Sequence, residues 1–591
     1  MTFDSHLLLL FCALLGVVNA ANPVVKLPYA SYKGAVNNDL GYSLGYASFA
    51  LKKTNVDRII SYRGIHYASP PTGDLRWQPP VPIQNTEQQN SVIDAASSGP
   101  TCPLAIPSWF LSGPVILEIA AGGGTVGFPA LQESEDCLLL DVLIPSNPQS
   151  DNLPVIVQIH GGGYTLGFSE LYAGDNFVSE SKGSVIYVEI QYRLGPLGFL
   201  SSQELRQNGT ANAGILDQRL ALEWVQKYIS YFGGDPSKVT IWGGSAGGGS
   251  VVAQLMLNGG EEKPPFWAAI AGNASHTNAY MNLKLNSLVL LEYPWIQPYH
   301  DDEALETQYN AFLKVANCSS LPCLRALSSS DITNVVGSVM SAGYNLGEYG
   351  FGDFWFGPSI DGRAIKGLPT DEIAAGRFSR VPLLTDHEEF EGVLFTNMSI
   401  HSEDQVEPDL QDVWPAANAS FFERLFNLYP LSDFSGNYFQ KSFFLDIFAL
   451  MPTLTLDAPF YQRQAILGDA FIGCPTRLLA NTFQKNGLPI WKMTYNYGIA
   501  IHSSTQPYLL RASNDVLNPQ LARTIKDYFL SFALARDPNA ISTVAKPMWV
   551  QYDTNSTVLG IDSDAKPTLV ADVDDSEKCE FLLSQGHVLR N

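Results

Sequence analysis

Residues 239–247, VTIWGGSAG, decide the fold that this sequence predicts. The first four residues predict a short strand, and residues 246–257 predict a helix. A serine at the sharp turn between a strand and a helix, in the pattern Gly-x-Ser-x-Gly, is typical of a nucleophile elbow. The glycines at 243 and 247 let the strand and the helix approach without a Cβ clash. We therefore predict that Ser245 is a nucleophile; the alternative is a glycine-rich connector.

A second glycine cluster, His160-Gly161-Gly162-Gly163, follows an apolar segment at 154–159 that predicts a buried strand. Exposed N–H groups of successive glycines form half of an oxyanion hole in folds with a nucleophile elbow. The other half is the N–H of Ala246, at the start of the helix after Ser245. The alternative is a flexible turn in which His160 has no catalytic role. The elbow some eighty residues later favours the oxyanion interpretation.

Strand and helix patterns alternate along most of the chain. Buried strands are predicted at 154–159, 184–190, 239–242, 381–385 and 490–494, and helices at 217–232, 246–257 and 518–535. This alternation predicts an α/β fold in which a mostly parallel sheet is covered by helices on both faces. The stretch 275–350 is less regular, and we interpret it as an insertion above the sheet.

Further motifs carry a specific resemblance. They are Gly64-Ile65 with Pro70-Pro71 and Leu75-Arg76, Ser134-Glu135-Asp136-Cys137-Leu138, Tyr192-Arg193-Leu194-Gly195, 212–218 (NAGILDQ) and Phe232-Gly233-Gly234-Asp235-Pro236. With the elbow, this array resembles the type-B carboxylesterase/lipase family, which includes cholinesterases and secreted fungal lipases. The likeness runs from about residue 23 to the C-terminus. It implies an α/β-hydrolase fold, with residues 21–591 as one catalytic domain.

The resemblance also implies roles for the glycine loop and shows one departure at the elbow. The oxyanion donors would be the N–H groups of Gly162, Gly163 and Ala246. The family usually has Glu immediately before the nucleophile, and here that position is Gly244. We interpret this departure as the loss of a supporting buried charge beside Ser245.

The general base is sought among the histidines that follow the elbow, because in this fold the triad runs Ser, acid, His. His401, His502 and His587 lie well past Ser245. His587 is in the C-terminal tail, and His401 follows the acid candidates by only a few residues. His502 comes in a loop just after a predicted strand, where the family places its catalytic histidine. We therefore predict His502, although Thr505 stands where the family often has an acidic residue.

Four carboxylates compete for the third place in the triad, and all follow the strand predicted at 381–385. Glu391-Gly392, with Phe395 three residues beyond the glycine, fits the family pattern for the catalytic acid. Phe390 departs from it, because the family usually has Asp there. We predict Glu391, and Asp386, Glu388 and Glu389 remain alternatives.

Charge and the N-terminal segment indicate export. The net charge is −23 with a pI near 4.7, which excludes nucleic acid and disfavours anionic lipid as partners. Residues 1–20 predict a signal peptide with an apolar run at 7–18 and no basic residue, and no later segment is apolar enough to span a membrane. We expect a secreted protein.

Six sequons predict N-glycosylation: Asn208, Asn273, Asn317, Asn397, Asn418 and Asn555.

Six cysteines remain once Cys12 leaves with the signal peptide, an even number that indicates disulfides in an exported chain. The resemblance implies the pairs Cys102–Cys137 and Cys318–Cys323, and Cys474 and Cys579 remain to pair with each other. None of the cysteines has zinc-like CxxC spacing, so we predict no metal site, and the chemistry requires no cofactor.

These observations predict a secreted serine ester hydrolase, either a carboxylesterase or a lipase, that forms an acyl-enzyme with a small-molecule or lipid ester. In lipases of the family, the loop that corresponds to 102–137 is a lid, and contact with a lipid interface would open it. The other interpretation of this loop is an ordinary surface loop.

Two alternative functions are an inactive adhesion relative of the cholinesterases and a peptidase.

Overall fold

The main sheet, at whose edge Ser245 lies, has eleven strands in the described part of the chain. The computed structural model describes residues 23–37, 58–83, 92–111, 131–272, 294–435, 456–498 and 500–591. The strands are β1 (Val24–Lys26), β2 (Ser31–Lys33), β3 (Ala35–Asn37), β4 (Ile59–His66), β5 (Val92–Asp94), β6 (Leu139–Pro145), β7 (Leu153–Ile159), β8 (Ile186–Ile190), β9 (Gly234–Gly243), β10 (Ala268–Ala271), β11 (Leu383–Glu388), β12 (Ile490–Tyr495), β13 (Thr557–Ile561) and β14 (Pro567–Ala571).

The main sheet is mostly parallel, as the alternation of patterns predicts. Its strand order is β14-β13-β12-β11-β10-β9-β7-β8-β6-β4-β3. All neighbours from β8 through β7 and β9 to β13 are parallel, and antiparallel strands flank this block on both sides. A separate small sheet joins β1, β2 and β5. The parallel block brings the carboxyl ends of β7, β9, β11 and β12 to one edge.

Helices connect these strands. They are α1 (Asp175–Glu180), α2 (Gly195–Phe199), α3 (Gln203–Asn208), α4 (Ala213–Tyr228), α5 (Ala246–Met256), α6 (Asp302–Val315), α7 (Leu321–Ala326), α8 (Ser329–Asn345), α9 (Pro369–Ala374), α10 (Val406–Val413), α11 (Ala419–Leu428), α12 (Ala458–Gly468), α13 (Cys474–Lys485), α14 (Gln506–Leu510), α15 (Pro519–Ala535), α16 (Glu577–Ser584) and α17 (Gly586–Leu589). No helix in the described ranges is long and apolar enough to cross a membrane.

The apolar core lies on both faces of the sheet. Along β7, Val155 and Val157 pack in one buried cluster, and Ile156 packs in another on the opposite face. This follows from the two-residue period of a strand, which turns successive side chains to opposite faces. Helices α4 and α5 contribute to the first cluster and α15 to the second. Asn518 caps α15, since its side chain accepts a hydrogen bond from the amide of Leu521.

The stretch 275–350 is more regular than the sequence led us to expect. Its described residues are largely helical, because α6, α7 and α8 lie between 302 and 345. The buried residues Leu305, Tyr309 and Phe312 of α6 follow the helical period. Asp301 caps α6, and Ser328 caps α8 in the same way. Helix signals were therefore present there; residues 273–293 lie outside the described residues.

Three disulfides connect the expected pairs Cys102–Cys137, Cys318–Cys323 and Cys474–Cys579.

Among the sequons, Asn208, Asn317, Asn418 and Asn555 are exposed and Asn397 is half-buried, while Asn273 lies outside the described residues. The expected signal peptide at 1–20 also lies outside them.

Candidate active site

Ser245 lies in a backbone conformation that ordinary residues avoid, with φ 52° and ψ −130°. It connects β9 to α5. A Cβ at Gly243 would come within 2.4 Å of the Gly247 oxygen, and one at Gly247 would lie 2.2 Å from the Ile159 oxygen. Glycine is therefore required on both sides of the turn. The Ser245 hydroxyl is fully buried and accepts or donates no hydrogen bond among the described residues.

The glycine loop after β7 lies beside this turn. Gly162 and Gly163 have φ of 113° and 61°, in the region that favours glycine. The Gly162 oxygen accepts hydrogen bonds from the amides of Thr165 and Leu166, which closes the loop. Within the described part of the chain, the amides of Gly162, Gly163 and Ala246 donate no main-chain hydrogen bond outside regular elements. Three N–H groups thus remain available at the end of the sheet that holds Ser245.

His160 supports this loop. One ring nitrogen lies 2.9 Å from the Gly161 oxygen, and the ring stacks on Tyr192 with centroids 4.3 Å apart. The Tyr192 hydroxyl donates to the His160 oxygen at 2.8 Å. Burial lowers the pKa of His160 to about 4, so the imidazole is neutral at ordinary pH. These contacts agree with the alternative in which His160 is a turn residue and not a catalyst.

His502 contacts Glu391. Its Nδ1 lies 2.5 Å from Glu391 Oε2, across 111 residues of sequence, and both side chains are buried. Burial lowers the pKa of the His502 imidazole, and burial together with the nearby Glu388 carboxyl raises the pKa of Glu391. An Nδ1–H that donates to the carboxylate makes Nε2 the basic ring nitrogen.

The other three acid candidates differ from Glu391 in their contacts or their exposure. Glu388 Oε1 accepts hydrogen bonds from the Thr505 amide and hydroxyl, both at 2.8 Å. Glu389 is exposed. Asp386 is buried beside Gly272, whose added Cβ would lie 2.2 Å from Asp386 Oδ1. Glu391 is the candidate that the structure brings to His502.

Trp295 connects the elbow to the histidine. Its amide donates to the Ser245 oxygen at 3.1 Å, and its ring centroid lies 5.9 Å from that of His502. Phe395 covers another edge of the imidazole, with centroids 4.9 Å apart. Phe354 packs on both Trp295 and Phe395 and limits the space at Gly163. Ser245, His502 and the glycine loop therefore share one aromatic environment.

Sequence analysis did not single out Trp295 or Phe354. Trp295 follows residues 273–293, whose sequence has no regular pattern that indicates a site. A visible signal for Phe354 was the aromatic run Phe354-Trp355-Phe356. Trp355 has φ 63°, an uncommon value for a bulky residue. The aromatic run alone could have marked the cluster of Trp295, Phe354 and Phe395, which we call the aromatic wall.

The start of the expected lid is buried. Ser108–Leu111 form a short 3₁₀ helix, and Trp109 is fully buried, with its Nε1–H donating to the Asp353 oxygen at 2.6 Å. The Trp109 ring packs on Phe354 with centroids 5.3 Å apart. Trp109 therefore packs in the aromatic wall, and the lid hypothesis for 102–137 stays a prediction. Residues 112–130 lie outside the described residues.

The sheet order, the elbow at the end of a parallel strand and the histidine–carboxylate pair define the class of protein: it is an α/β-hydrolase. Residues 44–582 match the family model described as the carboxylesterase family. The chain belongs to this family, and it is a carboxylic ester hydrolase of the carboxylesterase or lipase type.

Relatives with assigned names cover most of the chain. It is 30% identical over 556 residues to secreted triacylglycerol lipase LIP1 of Gibberella zeae, an alignment that covers 90% of this chain and 88% of that protein. It is 31% identical to lipase 2 of Geotrichum candidum, over 84% of this chain and 86% of the relative. Among solved structures, EstA of Aspergillus niger matches with a TM-score of 0.74 at 25% identity, over 97% of this chain and 99% of that one.

Proposed function

We propose that this chain is a secreted serine ester hydrolase whose triad is Ser245, Glu391 and His502. The observation that carries the proposal is the 2.5 Å contact between Glu391 and His502 at the sheet edge where the elbow holds Ser245. Export is supported by the apolar segment at 7–18, the sequons and the word "secreted" in the names of similar lipases.

In this mechanism, the Ser245 hydroxyl attacks the ester carbonyl while His502 Nε2 takes its proton. The electron pair of the carbonyl π bond moves to the oxygen, and the amides of Gly162, Gly163 and Ala246 stabilise the resulting oxyanion. His502 then protonates the leaving alcohol as the acyl-enzyme forms. A water molecule then attacks the acyl group while His502 takes its proton, and His502 returns that proton to Ser245 Oγ as the acyl–oxygen bond breaks and the acid is released. Glu391 holds the imidazole orientation and stabilises its charged form.

The triad is tested with purified wild type and two variants on p-nitrophenyl esters. Ser245→Ala and Glu391→Gln should each lower kcat by about 10⁴-fold, because triad members act as a unit. Glu389→Gln is the matched control, since this carboxylate lies two residues from Glu391 but is exposed. Ester hydrolysis by Ser245→Ala near the wild-type rate would refute the mechanism, and Glu389→Gln as the most severe carboxylate variant would refute the acid assignment.

The same assay separates the alternative functions. An inactive adhesion relative would hydrolyse no ester, and a peptidase would hydrolyse peptides with little ester turnover. The complete set of nucleophile, histidine and carboxylate favours ester hydrolysis over the adhesion role.

The choice between lipase and carboxylesterase depends on interfacial behaviour. If the 102–137 loop is a lid with an apolar underside, contact with an oil surface should open it and raise the rate. We expect hydrolysis of a short-chain triglyceride to rise steeply at its solubility limit. The soluble ester p-nitrophenyl acetate serves as control and should show simple saturation. Simple saturation for the triglyceride as well would leave a plain carboxylesterase.

A further inference from the structure

Glu388 is a buried carboxyl group beside the triad to which the proposed mechanism assigns no role. It is the last residue of β11, and its side chain is 1% exposed. Burying a carboxyl group costs free energy unless hydrogen bonds compensate. The contacts of Glu388 therefore indicate what the group does.

The side chain of Glu388 contacts the segment between β12 and α14 that carries His502, which we call the histidine loop. Its Oε1 accepts two hydrogen bonds from Thr505, one from the amide and one from the hydroxyl, each 2.8 Å long. Thr505 is fully buried and lies three residues after His502. Together these bonds connect the end of β11 to a segment 117 residues later in the sequence.

The main chain of Glu388 holds the acid. Its N–H donates to Glu391 Oε1 at 2.7 Å, while Glu391 Oε2 faces His502 Nδ1 at 2.5 Å. Each carboxylate oxygen of Glu391 thus has its own partner, which sets the plane of the group. One residue thereby contacts both loops that the triad needs.

The histidine loop requires such a restraint because its backbone is strained. Ala500 has φ 45° and Ser503 has φ 81°, values that residues with a Cβ rarely adopt. Conformations of this kind persist only when the surrounding structure holds them. On one side of His502 the Phe390 amide donates to the Ala500 oxygen at 2.9 Å. On the other side, the bonds from Thr505 to Glu388 hold the chain.

We infer that Glu388 is a positioning residue: its carboxyl group restrains the His502 loop through Thr505, and its amide orients the Glu391 carboxylate. The inference rests on the proposed triad. Burial raises the pKa of the Glu388 carboxyl, and its two hydrogen bonds from Thr505 oppose this shift. Both bonds from Thr505 require an acceptor oxygen at this position, which an amide side chain also supplies.

This inference predicts different results for two substitutions of Glu388. Glu388→Gln keeps a side-chain carbonyl and should retain kcat within about threefold, whereas Glu388→Ala removes the acceptor and should lower kcat about 10- to 100-fold through misplacement of His502. KM should change less than threefold in both, since Glu388 is not placed to contact substrate. Glu389→Ala, one residue along and exposed, is the matched control and should behave as wild type.

The measurement is kcat per active site, with sites counted by the burst of p-nitrophenol from a phosphonate ester. A variant that merely folds poorly has fewer titratable sites but a normal kcat per site, so it is distinguished from a misplaced histidine. Wild-type kcat per site in Glu388→Ala would overturn the inference, and so would a loss in Glu388→Gln as large as that in Glu388→Ala. A burst from Ser245→Ala would instead refute the proposed nucleophile, so the two failures are separable.

Discussion

At the residue scale, the oxyanion loop depends on the absence of two side chains. A Cβ on Gly163 would lie 2.0 Å from Phe354 Cδ1, and one on Gly162 would lie 2.4 Å from the Leu166 oxygen. Both contacts are far inside van der Waals distance. Phe354 cannot retreat easily, because it also packs on Trp109 and Trp295. A methyl group at residue 163 must therefore move the loop that carries the proposed donors.

Gly163→Ala should lower kcat by about 100- to 1,000-fold, the usual cost of losing one oxyanion donor. Gly347→Ala is the matched control. Gly347 also has positive φ, 72°, but its added Cβ would meet no atom within 4 Å. Both variants carry the left-handed backbone cost of roughly 1–2 kcal/mol, which thermal unfolding measures. Equal kcat values for the two variants would contradict a role of Gly163 in the oxyanion hole.

At the element scale, the segment that carries Glu391 and Gly392 packs on α12, and Trp295 packs on the turn that follows this helix. Gly392 approaches this helix so closely that an added Cβ would lie 2.0 Å from the Gln464 oxygen. The helix continues as a π-helical turn, Asp469–Gly473. Within that turn, the Phe471 oxygen accepts from the Ile296 amide at 3.0 Å, and the Phe471 ring packs on Trp295. Helix packing thus supports residues next to the proposed triad.

The Cys474–Cys579 disulfide joins the start of α13, directly after this turn, to α16. Replacing both cysteines by serine should lower the free energy of unfolding by about 4–5 kcal/mol, because the bond closes a long loop in the unfolded chain. The same change at Cys318 and Cys323, which are five residues apart, should cost about 2 kcal/mol. Urea unfolding of both variants measures the difference. Equal losses would contradict the chain-entropy account.

At the scale of the whole molecule, a buried charge network connects the middle of the chain to its C-terminal part. Lys492 on β12 contacts Asp572 at 2.6 Å and Asp574 at 2.5 Å, and Asp574 also lies 2.6 Å from His387 Nε2 on β11. Burial opposes the charge on Asp574, but His387 and Lys492 lower its pKa. Burial alone would lower the pKa of His387, but the contact with Asp574 outweighs burial and raises it. Each charge therefore stabilises its neighbour.

Asp574→Asn should destabilise the protein most between pH 4 and pH 6.5. The depressed pKa of Asp574 contributes stability that is lost as the pH falls below its unfolded value of about 3.9. The raised pKa of His387 contributes stability that is complete below about 6.5, its unfolded value, and is lost as the pH rises through the folded value. The difference in unfolding free energy between wild type and variant should therefore peak near pH 5 and shrink at pH 3 and pH 8.5.

Urea unfolding at these three pH values measures this difference. Asp564→Asn is the control, since Asp564 pairs with Lys566 on the surface, where both side chains are more than half exposed. An exposed pair contributes no more than about 1 kcal/mol. A loss in Asp574→Asn that does not vary with pH would show that packing, and not charge, is the contribution of this residue.

Local patterns in the sequence determined the elbow, the glycine loop and the main parallel strands. Gly-x-Ser-x-Gly after a strand, and three glycines after another, act within a few residues of backbone, where sterics alone decide the conformation. The alternation of strands and helices was sufficient for the parallel sheet. The helices between 302 and 345 were missed, although capping residues and helical spacing were present in that stretch.

Only the tertiary structure decided which carboxylate meets His502 and what surrounds the pair. Asp386, Glu388, Glu389 and Glu391 are within six residues of each other, and only the resemblance to the family pattern at Glu391-Gly392 favoured one of them. Their directions differ because β11 ends at Glu388 and the chain then turns. The partners of Glu391 and Glu388, His502 and Thr505, come from a loop more than 110 residues away. A contact over that separation depends on the order of strands in the sheet, which no local pattern contains.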